Sequence, residues 1–369
     1  MGQDSGECRK GIQGIVMIAI LHDYFDKRGG GERLVLNLAR ALGADIYTGF
    51  VDYNKTFDTD GVKITSLGIS RRLPHILRNL MIAKKFEKYK FPNYDAFVFS
   101  GTWCITAAKN HPNILYLHTP PRYLYDLNEY FIKRTNIIQR PLFKMFMNYW
   151  KKKDQIYMRQ FDRICPNSEN VKNRVRKFYG EDAYKKCDVV YTGIETKKFY
   201  CKPSEDFYLS TSRLDPLKRV GLVVEAFKKN GKRLVVASTG PEESKLNKLA
   251  EGHDNIEFVG NVSEEELIDL YARCKATVVA AMDEDLGLSA IESQCAGKPV
   301  IAVREGGLLE TVNKNTGVFF EPSVESLINS IGKFEKMKWN NKLIQKNAER
   351  FDIGAFVTKM KKIISDVQS

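Results

Sequence analysis

Short apolar runs bounded by turn residues alternate with amphipathic stretches along this chain, and about midway the alternation breaks off and begins again. The first series has apolar runs at residues 15–21, 45–47, 96–100, 114–118 and 163–166, with a helical pattern over 31–42. The second has strand patterns at 207–210, 233–237, 256–259, 277–280 and 299–303, separated by helical patterns at 220–229, 241–251, 264–273 and 288–296. Continuous apolar strands separated by helices imply parallel sheets covered on both faces. At 369 residues the chain exceeds what one hydrophobic core ordinarily fills, so two α/β domains are expected, a single large barrel being the alternative. Residues 191–206 mix Gly, Pro and charge without periodicity and read as a linker. The expected plan is a polar extension over 1–16, a Rossmann-like domain over 17–200, a second doubly wound domain over 201–350, and a C-terminal helix over 351–369 packing back on the first domain. Open parallel sheets bind ligands beyond the carboxyl ends of their strands, so two doubly wound domains would enclose the site in a central cleft.

A composition of 43% hydrophobic and 28% charged residues, without a low-complexity tract, is that of an ordered globular chain. The seven cysteines (Cys8, Cys104, Cys165, Cys187, Cys201, Cys274 and Cys295) show no zinc or redox spacing, which points to a reducing compartment. The run at 15–21 is too short to span a bilayer and is followed at once by His22 and Asp23, so neither a leader nor a spanning helix is expected and the location is expected to be cytoplasmic. Charge is unevenly divided: residues 1–200 carry 34 Lys and Arg against 20 Asp and Glu, and residues 201–369 carry 24 against 25. A basic half suggests an anionic partner, a membrane surface or a nucleic acid, with a merely solvated face as the alternative.

The densest set of chemistry-bearing residues follows the expected strand at 277–280. In the segment EDLGLSAIE, Gly287 and Leu288 open a helix whose free N–H groups and dipole favour an anion. Glu284 could accept hydrogen bonds from sugar hydroxyls and Glu292 from ribose hydroxyls, or both could be solvated. In TSRLDPLKR, Arg213 and Lys218 follow the strand at 207–210, where two cations can hold a diphosphate and neutralise the charge that grows on it as a sugar leaves. Gly240 and the run Gly260-Asn261-Val262 follow two further strands, in loops whose backbone could meet a nucleotide base, and Glu305-Gly306-Gly307 follows the last, ahead of Glu310 and Thr311. The Asp283-x-Asp285 spacing falls inside this phosphate-and-sugar loop, so no metal is expected there, and no cofactor elsewhere.

Taken together, the ordered segments RLDPLK, GPEESKL, IEFVG, EDLGLSAIESQCAGKPVIA and REGGLLETV resemble the donor domain of glycosyltransferase family 4, retaining enzymes of the GT-B fold. The resemblance implies that Arg213 and Lys218 bind the donor diphosphate, Glu292 its ribose and Glu284 the transferred sugar. Leu286 stands where the family usually has an aromatic residue, a departure that could alter the fit around the sugar.

In the first half, Gly29-Gly30-Gly31 follows the first strand and opens an amphipathic helix, where glycines let a backbone pass close to a phosphate or an acceptor. The spacing does not fit the dinucleotide fingerprint. The segment ILYLHTPPRYLYD puts His118 at the end of a strand, in a functional or a purely structural role. With FPNYDAFVFSG and PNSENVKNRVRKFYG, it is similar to a subgroup of family 4 that includes O-antigen mannosyltransferases of polysaccharide biosynthesis. That likeness implies that His118 touches the donor sugar and that Gly30 and Gly31 line the acceptor or phosphate side.

The segment RRLPHILRNLMIAKKFEKYK over residues 71–90 holds seven basic residues and one acidic, interleaved with apolar ones, as a membrane-surface element would. Residues 132–153 add ten apolar or aromatic residues beside Lys151, Lys152 and Lys153, although an ordinary helix with a core-facing stripe has the same pattern. The leading expectation is a retaining, metal-independent hexosyltransferase, with mannose as the expected sugar. It would use a nucleotide-diphosphate sugar and a lipid-linked or glycan acceptor, peripheral on the inner face of the plasma membrane. One alternative is a basic nucleic-acid-binding protein without enzymatic activity, but the aromatics form no base-stacking platform and no nucleic-acid partner is expected. The other is a nucleotide-sugar epimerase, for which no acidic residues placed for chemistry at the sugar's C2 are recognisable.

Overall fold

The apolar runs become strands of two six-stranded sheets in the computed structural model, which describes residues 16–368. The expected N-terminal extension lies, apart from Val16, outside the described residues. The first sheet contains β1 (Ile18–His22), β2 (Asp45–Thr48), β3 (Ile64–Ser66), β4 (Ala96–Ser100), β5 (Asn113–Leu117) and β6 (Arg163–Pro166), in the order β3-β2-β1-β4-β5-β6. The second contains β7 (Tyr208–Ser210), β8 (Leu234–Val236), β9 (Ile256–Phe258), β10 (Thr277–Val279), β11 (Val300–Val303) and β12 (Gly317–Phe320), in the order β12-β11-β10-β7-β8-β9. Pairing is parallel between β1 and its neighbours β2 and β4, and throughout the second sheet. Counted from its own first strand, the second sheet repeats the order of the first. Each is a doubly wound, Rossmann-like sheet whose strand order reverses once, between β1 and β4 in the first and between β7 and β10 in the second.

Burial explains why the central strands read as unbroken apolar runs. All residues of β1, β4 and β5 are buried, as are those of β7, β8, β10 and β11, because helices cover both faces. In the second sheet Val236, Val278, Val279 and Ile301 pack with Val223, Phe227, Leu327 and Ile331 of the covering helices, each such side chain contributing about 1.5–3 kcal/mol on burial. The edge strands β3 and β12 were not evident in the sequence. β3 is three half-buried or exposed residues, and β12 opens on a glycine and is buried only at its ends. The apolar stretch at 132–153 is not one element but two, helices Asn128–Arg134 and Arg140–Met158, the second with a proline in its first turn.

The chain divides into two compact units. The first comprises residues up to Tyr116, Tyr123–Ile164 and the chain from Lys361, and the second comprises Leu117–Arg122 and Cys165–Met360.

Candidate active site

In the second unit the loops leaving β7 and β10, the strands on either side of the reversal, carry the charged residues of interest. After β7, the Asp215 side chain accepts the Leu217 N–H at 3.0 Å and caps the short turn Pro216–Lys218. This turn presents Lys218, whose Nζ lies 2.6 Å from Oε2 of Glu284 in the loop after β10. The two loops are also joined by their backbones, the Met282 N–H donating to the Leu217 carbonyl at 2.8 Å.

The residues beside this pair are held in an unusual backbone conformation. Among the described residues, the non-glycine positions with positive φ are Arg219 (49°) and Asp283 (45°), directly after Lys218 and directly before Glu284. Left-handed backbone at such residues costs on the order of 1 kcal/mol or more and persists only where the surroundings enforce it. Glu305, just beyond β11, enforces both: its Oε1 accepts from Arg219 at 2.9 Å and its Oε2 accepts the Asp283 N–H at 3.1 Å. The sequence named Glu305 without giving it this clamping role.

Close backbone approach then explains the glycines. The Gly307 N–H donates to the Glu284 carbonyl at 2.7 Å. A Cβ on Gly306 would lie 2.6 Å from that same carbonyl oxygen, and one on Gly307 would lie 2.3 Å from the Asp285 carbonyl. Gly287, with φ of 91°, turns the chain into helix Leu288–Cys295 against Leu308. Glu292, on that helix, accepts from the Tyr271 hydroxyl at 2.8 Å, which meets Thr211 after β7 at 2.8 Å. Arg213 lies exposed in the loop after β7. Gly240 lies after β8, in a loop tied to β7's by the Leu214 N–H donating to the Thr239 carbonyl at 3.1 Å. Val262 is half-buried, packed against a cluster that includes Phe207, Val235 and Tyr271. Leu286 is buried in a separate cluster with Ile291, Cys295 and Phe351, so it fills core.

The segment Leu117–Arg122 reaches this unit from the end of β5 and is fixed on both sides of His118. Thr119 Oγ1 accepts from Arg174 at 2.8 Å, and Arg122 donates to the Asp283 carbonyl at 3.2 Å. Burial pushes the His118 imidazole down to about 4, so it is neutral at physiological pH. Arg174, which the sequence reading passed over, anchors the assembly: buried on helix Glu169–Tyr179, its guanidinium pairs with Asp285 and, at 2.9 Å, with Asp283. Burial opposes its charge, but the two carboxylates outweigh that and raise its pKa. The Glu310 carboxylate accepts the Glu169 and Asn170 N–H groups at 2.8 and 2.7 Å, at the start of the same helix. Lys218, Glu284 and the His118 segment are therefore drawn together around the 283–285 loop. Gly30 and Gly31 belong to the first unit, where they open helix Gly30–Leu42 after β1.

The chain matches the family model for glycosyl transferases group 1 over residues 194–351 and that for glycosyltransferase family 4 over residues 28–198. It is 25% identical to an alpha-1,3/1,6-mannosyltransferase of Dictyostelium discoideum, covering 94% of this chain and 97% of that one. It is 35% identical to a GDP-mannose-dependent alpha-(1-6)-phosphatidylinositol monomannoside mannosyltransferase of Mycobacterium tuberculosis, over 33% of this chain and 35% of that one. The first curated relatives are matched over 42% of their own length. Among solved structures, an Anabaena protein in complex with UDP superposes with a TM-score of 0.72 at 15% identity, covering 95% of this chain and all of that one, and so shares its fold.

Proposed function

We propose, from the premise that the chain belongs to the GT-B glycosyltransferases of family 4, that it transfers a hexose from a nucleotide-diphosphate sugar to a lipid-linked or glycan acceptor, with retention and without a metal. The observation that carries the reading is the meeting of Lys218 with Glu284 at the strand reversal of the second sheet. An ammonium has three N–H donors, so Lys218 can hold Glu284 with one and diphosphate oxygens with the others. Glu284 keeps lone pairs for sugar hydroxyls, and Arg213 adds a second cation for the diphosphate. Glu292 takes the ribose, and neutral His118 donates or accepts a hydrogen bond at the sugar. The bond from the anomeric carbon to the diphosphate oxygen breaks as the acceptor oxygen bonds the same face, and the acceptor's proton passes to the departing diphosphate. No side-chain nucleophile enters this scheme, and catalysis is positioning plus charge stabilisation.

Mannose as the sugar draws on the names of the two mannosyltransferase relatives, and a nucleoside diphosphate on the UDP bound by the Anabaena protein. The basic helix His75–Lys88 supports an anionic membrane surface near the acceptor. Among the described residues no helix is long and apolar enough to cross a membrane. Titrating the full chain with a panel of nucleotide-sugars while following thermal unfolding tests the reading. One of them should stabilise the fold by about 2.7 kcal/mol at a hundred times its Kd. A chain that no nucleotide-sugar protects, yet that elutes from heparin with steep salt dependence, would make it a polyanion-binding protein instead.

A further inference from the structure

Helix Arg140–Met158 in the first unit has two apolar faces. One is buried, through Met147, Trp150, Tyr157 and Met158. The other faces solvent: Leu142, Met145, Tyr149 and Ile156 recur at helical spacing and, with Ile137 and Ile138 in the preceding turn, are each more than half exposed, up to 84% at Ile138. A contiguous exposed apolar stripe of this kind marks an interaction surface. Exposed Lys144, Lys151 and Lys152 lie on the same helix, and exposed Lys133 and Arg134 on the neighbouring helix Asn128–Arg134. A cavity of about 370 Å³ is lined by residues of both helices, Asn128, Lys133, Lys144 and Asn148 among them, together with the carboxylate of Glu129.

We infer that this helix pair is an interfacial membrane element. The stripe enters the headgroup–acyl boundary of an anionic bilayer, the surrounding basic side chains meet lipid phosphates, and the cavity seats one headgroup. Charge decides the occupant. A second copy of the chain would press one basic rim against another, whereas an anionic surface complements it and long lysine stems can bury beside the stripe while their ammonium groups stay at the headgroups. The inference moves apolar insertion away from residues 71–90, where helix His75–Lys88 exposes Ile76, Leu77 and Met81 less fully. It rests on the proposed lipid-linked acceptor for its purpose, since that substrate must be met at a bilayer.

The test is flotation of the full chain with phosphatidylcholine vesicles, with and without phosphatidylglycerol. The wild type should float with the anionic vesicles. The variant Leu142→Ser/Met145→Ser/Tyr149→Ser, which alters only exposed positions, should partition about a hundred-fold less while keeping nucleotide-sugar protection against melting. Lys133→Ala/Lys144→Ala should lose the preference for phosphatidylglycerol. A wild type that ignores both vesicles, a triple variant that floats as well as wild type, or a wild-type dimer that the triple variant turns into a monomer would overturn the membrane element. A chain that floats as described yet is protected by no nucleotide-sugar would overturn the transfer reading and leave the element standing.

Discussion

At the strand reversal of the first sheet a carboxylate is consumed by the backbone, whereas at that of the second a carboxylate faces a side-chain cation. Asp23, just after β1, accepts the N–H groups of Thr102, Trp103 and Cys104 after β4 at 2.7, 2.9 and 2.8 Å. Burial pushes its carboxyl pKa up, and the three N–H donors pull against that. A Cβ on Gly101 would lie 2.5 Å from the same carboxylate. In the second sheet the corresponding loops, after β7 and β10, meet through Lys218 with Glu284, both half-buried. Backbone donors cannot be redirected without moving the chain, so Asp23 is a joint. The Lys218–Glu284 pair, between half-buried side chains, can be remade around an incoming anion at little loss, because solvent partly screens it. One strand order thus yields a fixed corner in one unit and an adaptable one in the other.

The largest expected effect tests the adaptable corner. Lys218→Ala or Arg213→Ala should fold normally and lose about 100- to 1000-fold in turnover at saturating donor, since charge on the leaving diphosphate is greatest in the transition state. Near wild-type kcat in either variant would take that residue out of the chemistry. Next, Asp23→Ala should leave three N–H groups without their partner, two of them on buried residues, and lower the unfolding free energy by about 3 kcal/mol, read from denaturant midpoints. Its turnover per folded molecule should stay within a few-fold of wild type. The contrast between the corners fails if this variant keeps its stability and loses its activity. The smallest effect concerns His118, whose folded pKa of about 4 lies below the ordinary 6.5. As pH falls the unfolded chain takes up this proton first, so the His118 contribution to stability is full above pH 6.5 and is lost toward pH 4. His118→Gln should flatten that part of the stability profile. A profile unaltered by the substitution would mean that another group produces the acid loss.

The sequence made Lys218 and Glu284 visible because both follow apolar runs that end in turn residues, and a doubly wound sheet brings such ends together. Arg174 was harder to see. It stands in KNRVRKF among three other basic residues, Lys172, Arg176 and Lys177, and only its place between Val171 and Val175 on the buried face of the helix signals otherwise. A lone charge on an apolar helix face is the pattern to look for. Glu305 and the left-handed backbone at Arg219 and Asp283 have no local signature, because the clamp exists only once β7, β10 and β11 lie side by side. Leu286 shows the opposite case, since a residue between charged and glycine neighbours in a loop can still point into the core.

Neither unit is a continuous piece of chain. The second borrows Leu117–Arg122 from the middle of the first, and the first is completed only by the chain from Lys361 onward. During synthesis, then, the first unit has most of its sheet long before it has its last helical turns, and it must wait for the whole of the second to leave the ribosome. A truncation at residue 200 would strip the second unit of the His118 segment and of Arg174, and the first of its final helix segment, so the two halves are better expected to mature together than to be inherited or expressed apart.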